Sequence, residues 1–189
     1  MTNAERILTT LDGHLDGEVA LVLYGRAAIA TGFDGVPAAM SRTLDVDVII
    51  PVSRIAEFRI NSRFWDAQET TNRELEKEGL YITHLFQADQ ILLRREWEQH
   101  IVPITRPPTR WLRLFRPATL DLILTKMMRG DDAQDMSDIA FLIRHDRVTP
   151  EQIEGALRGA VVPDLVELRD AFELAKPRVR ELAQQAKQS

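Results

Sequence analysis

The segment Leu44-Asp45-Val46-Asp47-Val48-Ile49-Ile50 is the part of this chain best suited to chemistry. Its β-branched content predicts a strand over residues 43–51. A strand alternates faces with period two. Leu44, Val46, Val48 and Ile50 then share one apolar face, expected in the core, while Asp45 and Asp47 share the other. The two carboxylates lie only about 7 Å apart along the strand. On an otherwise buried strand such a pair repels and loses hydration, so one pKa rises unless something compensates. A divalent cation is an efficient compensator, and magnesium takes one or two carboxylates together with substrate phosphates. The plain alternative is an edge strand whose acids face solvent. The continuation into Ile49-Ile50 argues against an edge.

Two neighbours in sequence strengthen the chemical reading. Tyr24-Gly25 closes an apolar run over residues 18–24 and leads into an alanine-rich segment, Arg26-Ala-Ala-Ile-Ala-Thr31. A strand end feeding a helix N-terminus offers unpaired N–H groups and the positive end of a dipole to phosphate. Arg42 directly precedes the acidic strand and is placed to pair with a phosphate or with one of the aspartates. Further along, Asp135 and Asp138 either charge a helix start or form a salt bridge positioning Lys126 or Arg129. Arg106, Arg110, Arg113 and Arg116 form the basic cluster best suited to an anionic ligand.

The elements that must position these residues follow from periodicity. Ile7, Leu8, Leu11 and Leu15 predict a first amphipathic helix. Residues 32–41, with Gly32, Gly35 and Pro37, read as a loop. Residues 53–78 read as a helix in two pieces broken near Asn61-Ser62 and closed by Gly79. Residues 81–86 form a third strand, residues 91–93 a short fourth, and residues 111–115 a last one. Pro103, Pro107 and Pro108 mark a connection. Four helices complete the chain, one with Thr149 as N-cap and Pro150 at its first position, and the last with a polar, fraying tail from Lys176. Helices and strands alternate before the helical end, so the expected class is α/β (α+β), a mixed sheet flanked by helices. The expected division is residues 1–116 as the sheet-bearing core and 117–189 as a helical portion packed on that core.

Composition removes several function classes. With no cysteine, disulfides, zinc ribbons, iron–sulfur clusters and thiol nucleophiles are excluded. The net charge of −5 speaks against a protein that coats nucleic acid. No apolar run approaches the roughly 18 residues of a membrane span. The first residues, Met1-Thr2-Asn3-Ala4-Glu5-Arg6, lack the apolar stretch of a signal peptide, so a cytoplasmic protein is expected.

A strand, a glycine turn, a helix and then a strand carrying two alternating aspartates resembles the nucleotidyltransferase superfamily, whose fold is that of DNA polymerase β. The likeness is closer to uncharacterised bacterial members and to relatives of the AbiEii abortive-infection toxins. It rests on Arg42-Thr43-Leu44-Asp45-Val46-Asp47, then Lys126, then Asp135-Met136-Ser137-Asp138-Ile139, across residues 19–143. The resemblance implies transfer of a nucleoside monophosphate from an NTP to an acceptor hydroxyl, with two metal ions clamping the attacking and leaving oxygens. It implies Asp45 and Asp47 as ligands of Mg2+ (or Mn2+), Gly25 and Arg26 against the phosphates, and Lys126 toward the triphosphate.

Two departures from the family pattern stand out. The turn reads Gly25-Arg26 where relatives carry two small residues. The third strand, Tyr81-Ile-Thr-His84-Leu-Phe86, has no acid where active members carry a third carboxylate. His84 is the candidate base there, since imidazole titrates near neutrality, although it suits manganese or zinc better than magnesium. Asp89, just past the strand, is the other candidate. The expectation is therefore a metal-dependent nucleotidyltransferase acting on an NTP and a small-molecule, RNA or protein acceptor. The alternative is a catalytically degraded binding module or toxin–antitoxin component.

Overall fold

The computed structural model describes residues 1–188, with His84 described through its backbone only. In chain order the elements are α1 (Asn3–His14), β1 (Val19–Tyr24), α2 (Gly25–Gly32), α3 (Ala38–Ser41), β2 (Asp45–Ile50), α4 (Ile55–Ile60), α5 (Ser62–Leu75), β3 (Tyr81–Gln87), β4 (Leu93–Arg94), β5 (Val102–Ile104), β6 (Leu112–Arg116), α6 (Thr119–Lys126), α7 (Ala133–His145), α8 (Pro150–Gly159), β7 (Ala160–Val161) and α9 (Val166–Gln188). The class is mixed α/β. Two compact units share the chain: Met1–Gln87 with Ile101–Arg116, and Ala88–His100 with the chain from Pro117 onward.

The first unit is built on a five-stranded sheet in the order β3-β2-β1-β6-β5. β1 is apolar throughout, Val-Ala-Leu-Val-Leu-Tyr, because it lies mid-sheet, antiparallel to β2 and parallel to β6. β3 runs parallel to β2, and α4 and α5 supply the crossover that a parallel pair requires. Asn61 breaks that crossover as expected, its side chain capping α5 at the Phe64 N–H. Gly79 ends it at φ +67, a left-handed conformation that glycine adopts without steric cost. α1 buries Ala4, Ile7, Leu8 and Leu11. A capping box joins Thr2 and Glu5 at its start. Near its end Asp12 accepts three backbone N–H groups, from Arg110, Trp111 and Leu112, at 2.7–2.8 Å. That carboxylate satisfies donors at the entry to β6 that would otherwise be orphaned.

The second unit is helical apart from a two-residue antiparallel ribbon of β4 and β7. α8 begins as expected, with Thr149 and Gln152 forming a capping box and Pro150 in the first turn. α9 buries Phe172, Ala175, Val179 and Ala183, one face of a long helix.

Several expectations need correction. Leu44 is 54% exposed and precedes β2, so the apolar face of that strand begins at Val46. The presumed loop 32–41 contains the one-turn helix α3. Pro103 lies inside β5, tolerated because β5 is an edge strand with one side unpaired. The short fourth strand is Leu93–Arg94, and it pairs with β7. The tail after Lys176 does not fray, since Val179 and Ala183 are buried. Among the described residues no helix is long and apolar enough to cross a membrane.

Candidate functional site

Asp45 and Asp47 are the first and third residues of β2, both half-buried, while Val46 and Val48 between and beyond them are buried. Each carboxylate is oriented by a threonine. The buried Thr43 donates its hydroxyl to Asp45 Oδ1 at 2.7 Å. Thr83 on β3 donates its hydroxyl to Asp47 Oδ1. The second contact is made where the ladder slips: Val46 pairs with Ile82 but Val48 pairs with Leu85, so two β3 residues stand against Asp47. A bulge of this kind re-aims side chains locally.

β1 delivers the rest of the site. Its antiparallel register sets Tyr24 directly opposite Asp47, and Gly25 follows at φ +64 as the first residue of α2. A Cβ on Gly25 would stand 3.4 Å from Asp47 Oδ2. Both the left-handed backbone and the nearby carboxylate therefore favour the bare glycine. The Tyr24 ring meets Phe86 edge-on at 5.8 Å. Burial first, then the negative charges of Asp47 and Asp45, pushes the Tyr24 phenol far up from its ordinary value. It remains a neutral hydroxyl beside two carboxylates.

The start of α2 has no side-chain cap from Tyr24. Arg26 lies in its first turn and donates to the Ala39 carbonyl at 3.3 Å, tying α2 to α3. Arg42 is exposed at the end of α3. The residue that holds Asp45 is thus its neighbour Thr43. The His84 side chain lies outside what the structure describes. Asp89 falls in the second unit, exposed in a short 3-10 turn.

Lys126 also belongs to the second unit, where it is 8% exposed. Its Nζ donates to Asp135 Oδ1 at 3.0 Å and Asp138 Oδ2 at 2.7 Å. Arg129 Nε donates to Asp135 Oδ2 at 2.6 Å. The N-cap of α7 is Asp132, which accepts the Asp135 N–H. Asp135 and Asp138 are therefore partners of Lys126 and Arg129, the salt-bridge option of the two considered. The basic cluster is dispersed. Arg116 is buried over Phe33, Arg106 pairs with Asp34 at 3.0 Å, Arg113 pairs with Glu18 at 2.9 Å, and Arg110 covers Trp111.

Tyr24 and Thr43 stand in the motifs read from the sequence but had no role there, and Thr83 stands in none. Thr43 had a signal, since it stands two residues before Asp45. Thr83 had none, because its contact depends on the register between two strands 31 residues of chain apart, from Ile50 to Tyr81 at the nearest. Among the described residues no three acidic or histidine side chains converge as a ready metal cluster. The donor set that does exist is two carboxylates beside hydroxyls. Hard oxygen donors of this kind suit magnesium completed by substrate phosphates and water.

A family model described as "Nucleotidyltransferase of unknown function (DUF6036)" matches residues 2–153. The match covers the first unit from Thr2 onward and runs into α8. No curated protein and no solved structure matches the chain.

Proposed function

The chain belongs to DUF6036, a family of nucleotidyltransferases of unknown function, and from that premise we propose that Asp45 and Asp47 hold Mg2+ (or Mn2+) with an NTP. On this reading the protein transfers the nucleoside monophosphate to an acceptor hydroxyl of a small molecule, RNA or protein. The observation that carries it is the pair of threonine-oriented carboxylates on β2 beside the bare backbone of Gly25. Bound metal would polarise the reacting phosphoryl group and neutralise charge as it develops.

The chain's own residues divide the remaining work. Thr43 and Thr83 each donate to one oxygen of a carboxylate and so fix its plane. Gly25 and the first turn of α2 offer N–H groups to phosphate. Arg26 and Arg42 add positive charge, and Tyr24 offers a neutral donor next to the two acids. His84 completes the candidate set, as base on the acceptor.

The test is thermal unfolding of the full chain with Mg2+ or Mn2+ and each of the four NTPs. We expect a metal-dependent rise in Tm that disappears in Asp45→Ala and Asp47→Ala. A wild-type protein that shows no such rise with any NTP would overturn the reading.

Thr83 favours a second reading. β3 brings Asp47 a hydroxyl where an active member would bring a third acid. A fold retained for binding, as in a toxin–antitoxin component related to the AbiEii-like toxins, would tolerate that change. Labelled NTPs incubated with the protein and cell extract separate the two. Labelling that is identical in wild type and the Asp45→Ala/Asp47→Ala variant supports the second.

A further inference from the structure

A concave pocket of about 420 Å³ lies wholly within the second unit, at the β4–β7 ribbon. Arg94, Arg95, Glu96 and His100 line it from one side, and Arg158 with the backbone following α8 lines it from the other. Arg94 is clamped. Its backbone N–H and its Nε both donate to Asp121 Oδ1 at 3.0 Å, and Nη2 donates to Oδ2 at 2.6 Å. Asp121 is fully buried, so the guanidinium cannot swing away cheaply. A guanidinium carries five N–H donors, and this clamp uses two of them.

The side chains of Arg95 and Arg158 make no hydrogen bond or ion pair among the described residues. Arg158 acts at a distance on Glu154, but that carboxylate is already held by Arg180 at 2.5 and 3.1 Å. Arg158 also answers the negative end of the α8 dipole. This accounts for Arg158, and Asp121 accounts for Arg94, which leaves Arg95 on a concavity lined by three arginines and a single carboxylate, Glu96. In a chain of net charge −5, the pocket is a local inversion.

We propose that this pocket binds a phosphate-bearing small molecule of nucleoside-monophosphate size. Its phosphate would sit on Arg95 and Arg158 beside the clamped Arg94, where charge-assisted and bidentate bonds are strongest. Glu96 and the backbone carbonyls at the end of α8 would accept its N–H groups. The volume falls in the range of small-ligand sites and exceeds what a bare phosphate needs. A long polyanion fits less well, because the arginines line a bounded concavity and form no stripe.

The experiment is calorimetric titration of the full chain with AMP, adenosine and inorganic phosphate. A chelator is present throughout, so no divalent cation can bridge a nucleotide to Asp45 and Asp47. AMP is expected to bind saturably, and adenosine about tenfold more weakly or worse. Inorganic phosphate is expected to compete with AMP while binding less tightly. Arg95→Ala and Arg158→Ala should each weaken AMP about tenfold, and Arg158→Glu should abolish binding. Both side chains are exposed, so these variants should keep the wild-type Tm. Asp45→Asn/Asp47→Asn should leave AMP binding intact, which separates this site from the proposed catalytic one. The proposal is overturned if AMP, GMP, CMP and UMP all fail to bind, or if binding survives the arginine substitutions. Loss of binding in the aspartate variant, or phosphate binding as tightly as AMP, would also overturn it.

Discussion

Thr83 donates its hydroxyl to Asp47 Oδ1 from a strand that is out of step with its neighbour at that point. Replacing it with valine keeps the shape and removes the donor. Loss of one half-buried hydrogen bond to a charged group is expected to cost about 1–2 kcal/mol. For a chain of this size that lowers Tm by roughly 2–8 °C, measured by calorimetry. Thr83→Asp asks the converse question. With a third carboxylate beside Asp47, the protein should be less stable in chelator and regain the loss with Mg2+. A Thr83→Asp protein indifferent to Mg2+ would count against metal at Asp45 and Asp47.

Gly25→Ala forces a side chain into the left-handed region and sets a methyl 3.4 Å from Asp47 Oδ2. The expected cost is about 1 kcal/mol in urea unfolding. The same variant should lose the NTP-dependent rise in Tm, since the methyl stands where phosphate must approach backbone.

The Tyr24 phenol makes a prediction with a defined sign. Its folded pKa lies above the ordinary 10.0, so the folded state holds the proton more tightly than the unfolded chain. Below pH 10 this group leaves stability unchanged. As pH rises above 10 the unfolded chain deprotonates first and stability falls, by up to about 1.4 kcal/mol per pH unit. Tyr24→Phe should remove that part of the alkaline decline. Unfolding curves of the two proteins at pH 9, 10 and 11 test it, and identical slopes would refute the placement of the phenol.

Lys126→Ala leaves Asp135 and Asp138 with no ammonium between them, both nearly or fully buried. Breaking a buried pair by removing one partner costs about 3–5 kcal/mol. The urea midpoint should fall with little change in slope. Lys126→Met in combination with Asp138→Leu should recover much of the loss, because it replaces charges with apolar volume and Asp135 keeps Arg129.

The parts of this molecule that local rules govern were legible in the sequence. Period two placed Asp45 and Asp47 on one face, and a glycine between an apolar strand and an alanine-rich helix marked the turn. Thr149-Pro150 announced α8. What stayed hidden depends on partners distant in sequence. The bulge that brings Thr83 to Asp47 cannot be seen from either strand alone. Strand β4 is two residues long and exists only because β7 lies beside it, 66 residues on from Arg94 to Ala160. The polar composition of residues 176–188 masked the four-residue spacing of Val179 and Ala183. The pairing of Lys126 with Asp135 and Asp138 was one of two readings open in the sequence, and only the packing of α7 decides it.

Ala88–His100 belongs with the helices although Ile101–Arg116 returns to the sheet, so the polypeptide passes between the units at Gln87/Ala88, His100/Ile101 and Arg116/Pro117. Neither unit is a continuous piece of gene. A fragment stopped at Arg116 would keep Asp45 and Asp47 yet carry β4 without β7, Arg94 without Asp121, and the buried Leu92, Leu93 and Trp97 without the helices of their own unit. Excising the first unit alone would therefore yield an aggregation-prone product unless residues 88–100 were replaced by a short polar linker.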